Sequence, residues 1–333
     1  VLKNKVEYEI KKSIMNHPPL FSICIPTYNS EKYICEAIDS VLSQTFSDFE
    51  LIIVDNDSED FTVDIVKQYQ DDRLSVYKNT RNLGVNENHN QCMKLAKGRY
   101  IHLLSSDDKY LSESSLDTIN QQILSHSIAP SVVAFEKNSK EGYKVLDKIT
   151  LKKCDIFEGS SAIRKIFLMK LPFVLIPLLV IFKRSLIYKD GDIFEKFNTS
   201  NDSRYGDDTE FFLKIIKNSN YCFVDSPLVF YREHNESITE NAIATGEAPK
   251  LHCKMLDKWI RGESIVTFTR MERYWIMSTD YIRIMNEVTS SDSRRELLKK
   301  EFTRIEKIFV IFRKISHILL PCKVKALIKE KIL

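Results

Sequence analysis

Residues 21–29 read Phe-Ser-Ile-Cys-Ile-Pro-Thr-Tyr-Asn, a short apolar run that contains Pro26 and ends in polar side chains. A run of this length, closed by turn-forming residues, predicts a buried strand. Ser30 follows, and the apolar residues of 31–44 then recur on one helical face. This spacing predicts a helix with Ser30 as its N-cap.

The same alternation continues along the first third of the chain. Further strands are predicted at 51–54, 74–77 and 100–104, with helices at 60–70 and 86–97 between them. Because the strands are almost continuously apolar, the pattern predicts a mostly parallel sheet covered on both faces, which is an α/β fold. Ligands bind such sheets outside the carboxyl ends of the strands.

Polar clusters stand at three of these strand ends: Thr27-Tyr28-Asn29, Asp55-Asn56-Asp57 and Asp107-Asp108. We expect them to converge on one edge of the sheet. Adjacent carboxylates suit a hard divalent cation, which would also suit a diphosphate, although Asp107 and Asp108 could simply cap a helix. Asp55 and Asp57 could bind a base or ribose, but Asp-Asn-Asp-Ser is also good turn chemistry.

The second half carries a further polar group. Residues 207–217 have a helical pattern that begins with Asp207 and Asp208, which could complement the helix dipole or supply a general base. Two short strands are predicted on either side of Pro227. Arg232 could then contact a phosphate or be a surface charge, and His234 could ligate a metal or be structural.

Composition excludes several classes of protein. The seven cysteines are odd in number and scattered, with no C-x-x-C, which indicates a reduced compartment and argues against a disulfide framework and a zinc site. No Gly-rich phosphate loop is present, which disfavours dinucleotide dehydrogenases and P-loop enzymes. The apolar run 171–182 is shorter than the roughly 20 residues of a membrane span, and we interpret it as a buried strand with its approach.

These segments together resemble the inverting family 2 glycosyltransferases, which have the GT-A fold. The matching pieces stand in the family's order at 22–29, 37–45, 49–55, 82–84 and 98–108. Gly206-Asp-Asp-Thr-Glu-Phe211 and Tyr231-Arg-Glu-His234 resemble the family's acidic base motif and trailing histidine. The resemblance covers about 20–238, and it implies a Rossmann-like nucleotide-binding half followed by an acceptor half.

The resemblance also implies roles for individual residues. Asp107 matches the metal-binding carboxylate of the D-x-D motif, His234 the histidine near the metal, and Asp208 the general base. Donor nucleotide binding is implied for Pro26, Thr27, Tyr28, Asn29, Asp55, Asp57, Asn82 and Asp107. Further candidates are Asp108, Asp207 and Arg232. The implied cofactor is a divalent metal, Mn²⁺ or Mg²⁺.

Two positions depart from the family's pattern. Ser105 stands where the first carboxylate of the D-x-D motif is usual, so we expect either a weaker metal affinity or a metal held mainly by Asp107, His234 and the diphosphate. Asp57 stands where glycine is usual, so its loop can differ.

The implied reaction is a single inverting displacement that moves a sugar from a nucleotide-sugar, expected to be a UDP-sugar, to a glycan or lipid-linked glycan. Bacterial surface polysaccharide, such as capsule or O-antigen, is the expected product. Two alternatives are a scaffold of the same fold without turnover, which Ser105 would favour, and a nucleotidyltransferase. The latter needs a Gly-rich loop after the first strand, where this chain has Tyr28-Asn29-Ser30.

The sequence predicts three regions: an N-terminal extension at 1–20, a GT-A domain at 21–240 and a helical C-terminal region at 250–333. The GT-A domain divides into a nucleotide-binding half, 21–110, and an acceptor half, 111–240.

Charge is distributed unevenly between these regions. The formal net charge is +3, yet 294–333 carries twelve Lys and Arg against four Asp and Glu, a net of +8, which leaves −5 for the rest. The tail has apolar residues at helical spacing, so it predicts a basic amphipathic helix that lies on a membrane or packs on protein. We expect a cytoplasmic enzyme on the inner face of the membrane. No motif accompanies the basic charge that would indicate a nucleic-acid partner.

Overall fold

The computed structural model describes residues 6–11, 17–139, 154–168, 170–172, 175–189, 192–193, 195–197 and 207–234. The chain forms two compact units. The first comprises Val1–Gly159 and Val174–Arg232, and the second Ser160–Phe173 and Glu233–Leu333. The sheet and the candidate site described below belong to the first unit.

Strands and helices alternate through the first hundred residues. In chain order they are β1 (Val6–Lys11), β2 (Phe21–Thr27), α1 (Ile34–Leu42), β3 (Phe49–Asp55), α2 (Thr62–Val66), β4 (Leu74–Asn79), α3 (Val85–Leu95) and β5 (Tyr100–Leu103). The predicted strand–helix alternation is therefore confirmed. The second helix is shorter than the predicted 60–70.

The following elements are less regular. They are β6 (Lys109–Tyr110), α4 (Ser115–Leu124), β7 (Val132–Asn138), β8 (Ile156–Glu158), α5 (Gly159–Phe167), β9 (Val180–Lys183), β10 (Tyr188–Lys189), β11 (Asp192–Ile193), α6 (Asp207–Lys217) and β12 (Asn220–Phe230). Short 3₁₀ turns at Pro177–Leu179 and Arg184–Leu186 flank β9. The C-terminal part of the apolar run 171–182 thus lies in the buried strand β9, which was predicted, and the 3₁₀ turn Pro177–Leu179 leads into it.

The central sheet has the strand order β1-β4-β3-β2-β5-β9-β7-β12-β6. The pairs β2–β3, β3–β4, β2–β5 and β7–β12 are parallel, whereas β9 is antiparallel to both β5 and β7. Strands β3 and β4 lie on one side of β2, each further from it than the last, whereas the next strand in the chain, β5, lies on the other side of β2. This change creates a topological switch point between β2 and β5, the place where α/β sheets bind ligands.

The core explains why β2 and β3 are almost wholly apolar. Every residue of β3 is buried, and so are all residues of β2 except the half-buried Pro26. Helix α1 contributes an inner face of four fully buried residues: Ile34, Ala37, Ile38 and Val41. Each such aliphatic side chain removed from water contributes roughly 1.5–3 kcal/mol, alanine less. This burial fixes the ends of β2 and β3, from which the candidate site is built.

Two local predictions are wrong. Ser30 does not cap α1 through its side chain, because its hydroxyl donates to the carbonyl of Tyr28 and lies 2.7 Å from the Ser106 hydroxyl. Its backbone carbonyl instead accepts the amide of Ile34 at 2.9 Å. The strands predicted on either side of Pro227 are one strand, β12. Its register against β7 shifts on both sides of Pro227, so the strand continues past the proline.

The N-terminal segment supplies an edge strand. Strand β1 lies within the predicted extension, 1–20, and pairs antiparallel with β4. Its register against β4 is irregular in two places, which is common at sheet edges.

The expectation that all cysteines are reduced is wrong for one pair. Cys154 and Cys222 form a disulfide, with Cα atoms 6.1 Å apart, within the range that such a bond allows. Their separation of 68 residues gives no local motif, so sequence spacing could not reveal the pair. Among the described residues Cys24 and Cys92 are free and buried, and Cys35 is free and exposed.

Residues 235–333 lie outside the described part of the chain, so the helical region at 250–333 and the basic tail at 294–333 stay predictions. Among the residues that the structure describes, no helix combines the length and the apolar character needed to cross a bilayer.

Candidate active site

The carboxyl ends of β2, β3, β4 and β5 meet at one edge of the sheet, as predicted. The amide of Asn56, after β3, donates to the carbonyl of Thr27 at the end of β2 (2.8 Å). On the other side of β2, the hydroxyls of Ser30 and Ser106 lie 2.7 Å apart and join the loops that follow β2 and β5. The polar clusters that the sequence singled out therefore form one continuous surface.

The loop after β2 presents side chains to this edge. Asn29 has a left-handed backbone (φ 49°), which asparagine tolerates better than most residues. Its amide donates to the Ser58 hydroxyl (2.9 Å), so it is held to the loop after β3. Tyr28 beside it is 45% exposed. The Thr27 hydroxyl is buried and has no hydrogen-bond partner among the described residues.

Asp55 and Asp57 occupy different environments in the loop after β3. Asp55 is buried and accepts bonds from the amide (3.0 Å) and hydroxyl (2.5 Å) of Ser58. Burial raises the pKa of Asp55, although the Ser58 bonds and the Lys78 ammonium oppose that shift. Asp57 has a left-handed backbone (φ 67°), and its exposed carboxylate lies 3.2 Å from Lys78. Asp55 thus shapes the turn, and Asp57 is the more accessible to a ligand.

An asparagine network, which sequence reasoning missed, supports the same edge. Asn56 donates to the side-chain oxygen of Asn82 (3.0 Å), and Asn79 donates to those of Asn56 (3.0 Å) and Asn88 (2.9 Å). The oxygen of Asn82 also accepts the amide of Gly84 (2.9 Å), so Asn82 organises the loop before α3. The density of asparagine between 79 and 90 was the available signal.

The adjacent acids after β5 are not equivalent. Asp108 is 3% exposed, and its Oδ1 accepts the backbone amide of Arg232 at 2.8 Å. Burial, and then the charge of Asp107, raise the pKa of Asp108 to about 8. Asp107 is only partly buried. Asp107 is therefore the carboxylate placed to meet a ligand, while Asp108 holds the chain after β12.

The oxygen atoms after β5 fit a hard cation. Asp107 and Ser105 are both partly exposed residues at this strand end, and the Ser105 side chain also hydrogen-bonds Asp108. Carboxylate and hydroxyl oxygens are suitable donors for Mg²⁺ or Mn²⁺, whose remaining positions a diphosphate and water can fill.

Arg232 is engaged within the protein. Its guanidinium donates to Glu36 (2.9 Å) and to the carbonyl of Asp107 (2.9 Å), and it lies 4.8 Å from the centre of the Tyr33 ring. The side chain is 15% exposed. With its charge opposed by Glu36, Arg232 joins β12 to the loop that carries Asp107 and is less suited to recognising a phosphate.

A hydrogen bond from α3 holds the acids at the start of α6 near the same edge of the sheet. Asp207 is buried and accepts a bond from Asn86, in the first turn of α3, at 2.9 Å. Asp208 is partly buried, and its Oδ1 accepts the amide of Thr209 at 2.7 Å. Burial, with a smaller contribution from the charge of Asp207, raises the pKa of Asp208 to about 6. A carboxylate with this pKa is an effective proton acceptor near neutral pH.

His234 stands at the end of the described chain and belongs to the second unit. It is partly buried. Its role as a metal ligand stays a prediction.

Comparisons with known proteins decide the family. Residues 22–187 match the sequence model of Glycosyl transferase family 2. An uncharacterised glycosyltransferase of Rickettsia typhi is 30% identical over 233 residues, which cover 68% of this chain and 68% of that protein. This chain belongs to glycosyl transferase family 2. It is a transferase of the α/β class, and the predicted family and fold class are confirmed.

Two further comparisons concern more distant or partial similarity. The glycosyltransferase shares 41% identity over 93 residues with WfaP of Escherichia coli, a UDP-Glc:α-D-GlcNAc-diphosphoundecaprenol β-1,3-glucosyltransferase, covering 28% of this chain and 37% of WfaP. Its fold is similar to that of TarS of S. aureus in complex with UDP, with a TM-score of 0.57 and 22% identity. That similarity covers 86% of this chain and 76% of the TarS chain.

Proposed function

We propose that this glycosyltransferase moves a sugar from a UDP-sugar to a glycan or lipid-linked glycan, with inversion, in the synthesis of a bacterial surface polysaccharide. The observation that carries the proposal is the bond between Asn86 and Asp207, which brings the acids of α6 to the sheet edge where Asp107 lies. A donor site and a proton acceptor at one edge are the two components that sugar transfer to a hydroxyl requires.

The proposed step is a single displacement. The acceptor hydroxyl oxygen attacks the anomeric carbon of the donor as the bond from that carbon to the phosphate oxygen breaks. Asp208 takes the proton of the hydroxyl, and the nucleotide diphosphate leaves with the bonding electrons. The pKa of Asp208, raised to about 6, keeps the carboxylate ionised at pH 7 and yet basic enough to share the proton.

Asp107 would hold a divalent cation, Mn²⁺ or Mg²⁺, with Ser105 as a further candidate ligand. When bound, such a cation neutralises charge on the departing diphosphate. Asp57 and Tyr28, both exposed at the same edge, are the proposed contacts to the nucleoside.

The donor and acceptor classes rest on relatives and on sequence. WfaP acts on UDP-glucose and a diphosphoundecaprenol acceptor, and TarS binds UDP. Because the chain spans only 37% of WfaP, the acceptor is the less constrained of the two. The basic tail at 294–333 suits an acceptor presented at an anionic membrane.

Calorimetric titration tests the donor site. UDP, GDP and dTDP are titrated into the protein in Mn²⁺ and again in EDTA, with Asp107→Asn beside wild type and exposed Asp225→Asn as the matched control. We expect tight binding of UDP in Mn²⁺ alone, weakened more than about 10-fold by Asp107→Asn and unchanged by Asp225→Asn. Preference for GDP or dTDP would refute the choice of donor.

A second candidate follows from Ser105, which replaces a carboxylate of the D-x-D motif. A scaffold of this fold would bind the nucleotide without turnover. Incubation with UDP-sugars and acceptor, followed by detection of released UDP and of the anomeric configuration of the product, separates the two. Nucleotide binding without any transfer would favour the scaffold.

A further inference from the structure

A cluster of thiol and imidazole groups lies far from the candidate active site. His126 follows α4, Cys154 precedes β8, and Cys222 is near the start of β12. Their ligand atoms all lie within 4.8 Å of one another. Cys222 stands ten residues before Arg232 along an extended segment, roughly 30 Å at about 3.3 Å per residue. The cluster is therefore distinct from the site that holds Asp107.

We propose that the reduced protein binds a thiophilic divalent cation, such as Zn²⁺, through His126, Cys154 and Cys222. The oxidised protein, in which the two cysteines form the disulfide, would bind none. Soft thiolate and imidazole donors select zinc over Mg²⁺ or Mn²⁺, which prefer oxygen.

The spacing of the donors fits a tetrahedral ion. Zinc bonds of about 2.3 Å to sulfur and about 2.0 Å to nitrogen place these atoms about 3.5 Å apart at a tetrahedral angle. The Nε2 of His126 lies 3.4 Å from the sulfur of Cys154. Two zinc-bound sulfurs lie about 3.7 Å apart, and Cα atoms 6.1 Å apart permit that spacing through side-chain rotation.

Burial favours a cation over two free thiolates. Cys222 is 0% exposed and Cys154 is 8% exposed. Two thiolates in such surroundings would carry uncompensated charge, so without a metal the pair stays protonated; Zn²⁺ stabilises the thiolates and releases two protons as it binds. The amide of Cys154 is already held by Gln122 of α4 at 3.1 Å, so two of the three ligand segments are in place before a metal arrives.

An open cavity provides the path to the cluster. It has a volume of about 450 Å³ and is lined by residues that include His126, Ile156, Glu158 and Asn220. Ile156 pairs with Cys222 in the sheet, so the cavity and the cysteine pair share the start of β12. The fourth position on the metal can take water from this cavity.

The redox state of the pair decides occupancy. Metal binding needs both sulfurs as thiolates, and disulfide formation consumes them. In a reducing compartment, where thiols persist, the metal-bound form would prevail. The bound ion would then link three parts of the chain: the segment after α4, the segment before β8, and β12. The disulfide links only the last two.

The experiment measures Zn²⁺ content and Co²⁺ absorption in the full chain, reduced and oxidised. Thiolate-to-cobalt charge-transfer absorption reports sulfur ligation alone, so a metal held by Asp107 does not contribute. We expect one thiolate-ligated ion per reduced chain, counted from the charge-transfer band, and none per oxidised chain. Cys222→Ser should abolish the absorption, His126→Ala should weaken binding more than about 10-fold, and exposed Cys35→Ser should change nothing.

His126→Gln provides a second test if Cys222→Ser does not fold, because it removes the imidazole and leaves both cysteines in place. Absence of the charge-transfer band in the reduced protein would overturn the proposal. So would equal absorption in wild type and Cys222→Ser, or a disulfide that resists reductant while no metal binds.

Discussion

Neighbouring acids in this enzyme have different roles because their surroundings differ. Asp108 and Asp207 are buried and accept bonds from Arg232 and Asn86, so their carboxylates orient the chain. Asp107 and Asp208 are only partly buried, and they are the groups that we propose act on the substrates. In each acidic pair, one carboxylate is therefore engaged within the protein and the other is more exposed.

Asp208 gives the first prediction, which concerns pH. A base acts when ionised, so turnover should be retained above the Asp208 pKa of about 6 and decline as pH falls through that value. Asp208→Asn should lower kcat by about 10²–10⁴-fold, the usual contribution of a general base. Steady-state kinetics from pH 5 to pH 8 measure both effects.

UDP titration at each pH is the control for this prediction, since donor binding should persist where turnover declines. Asp225→Asn, an exposed acid on β12, should retain the wild-type pH profile. If Asp208→Asn weakened UDP binding and turnover equally, Asp208 would belong to the donor site instead.

Asp108 gives the second prediction, which concerns stability. Asp108→Ala should lower the free energy of unfolding by about 1–3 kcal/mol, because the amide of Arg232 loses its buried acceptor. Asp108→Asn keeps a side-chain oxygen at that position and should cost less. Urea denaturation measures the difference, and equal losses for the two variants would argue against the role of this bond.

The residue types at the site could be predicted from sequence, but their division of roles could not. Thr27, Asn29, Asp57 and Asp107 lie at the predicted edge because apolar strands specify where they end. The exposure of Asp107 and the burial of Asp108 depend on Arg232, which is 124 residues away from Asp108 along the chain.

The turn between α3 and β5 packs closely against the backbone of β2. Gly98 lies between α3 and β5, and a Cβ there would come within 2.6 Å of the Ser22 amide nitrogen and 2.7 Å of the Phe21 carbonyl carbon. Both atoms are backbone of β2, which is buried and cannot shift easily. Glycine at 98 is thus required by close approach.

Gly98→Ala gives the third prediction. Overpacking against β2 should lower the free energy of unfolding by about 1–3 kcal/mol, measured by urea denaturation. Gly84→Ala tests a different cause, because a Cβ there meets no atom within 4 Å and its cost comes from the backbone at φ 82° and ψ 165°, a region that is favourable for glycine alone. An unchanged free energy of unfolding in Gly98→Ala would contradict the packing argument.

Element prediction succeeded where one element carries its own signal. The apolar runs of β2 and β3 and the acids that begin α6 indicate those elements directly. Strand β7 and helix α4 were missed within the irregular middle, since β7 is buried by pairing with β9 and β12, a partnership that only the assembled sheet defines. Likewise, the Cys154–Cys222 pair depends on β12 and has no local motif.

At the scale of the whole molecule, charge is separated along the chain. The body up to residue 293 carries a net −5, while 294–333 carries +8. An anionic lipid surface attracts basic residues by about 1 kcal/mol each and repels an acidic body. The separation would thus favour contact through the tail.

The fourth prediction is that the full chain binds anionic vesicles and not zwitterionic ones, with binding that weakens as salt screens the attraction. Co-sedimentation with phosphatidylglycerol vesicles and with phosphatidylcholine vesicles measures it. A variant with four tail lysines replaced by glutamine should bind more than about 10-fold less tightly. The four are Lys323, Lys325, Lys329 and Lys331.

The matched control removes the same charge from the body, where four exposed lysines are available: Lys67, Lys94, Lys189 and Lys196. Their replacement by glutamine makes the body more acidic and should leave vesicle binding intact or slightly weaker. Equal losses in the two variants would mean that net charge, and not the tail, governs binding. Unchanged binding in the tail variant would instead favour a tail that packs on protein, with the membrane reached by another surface.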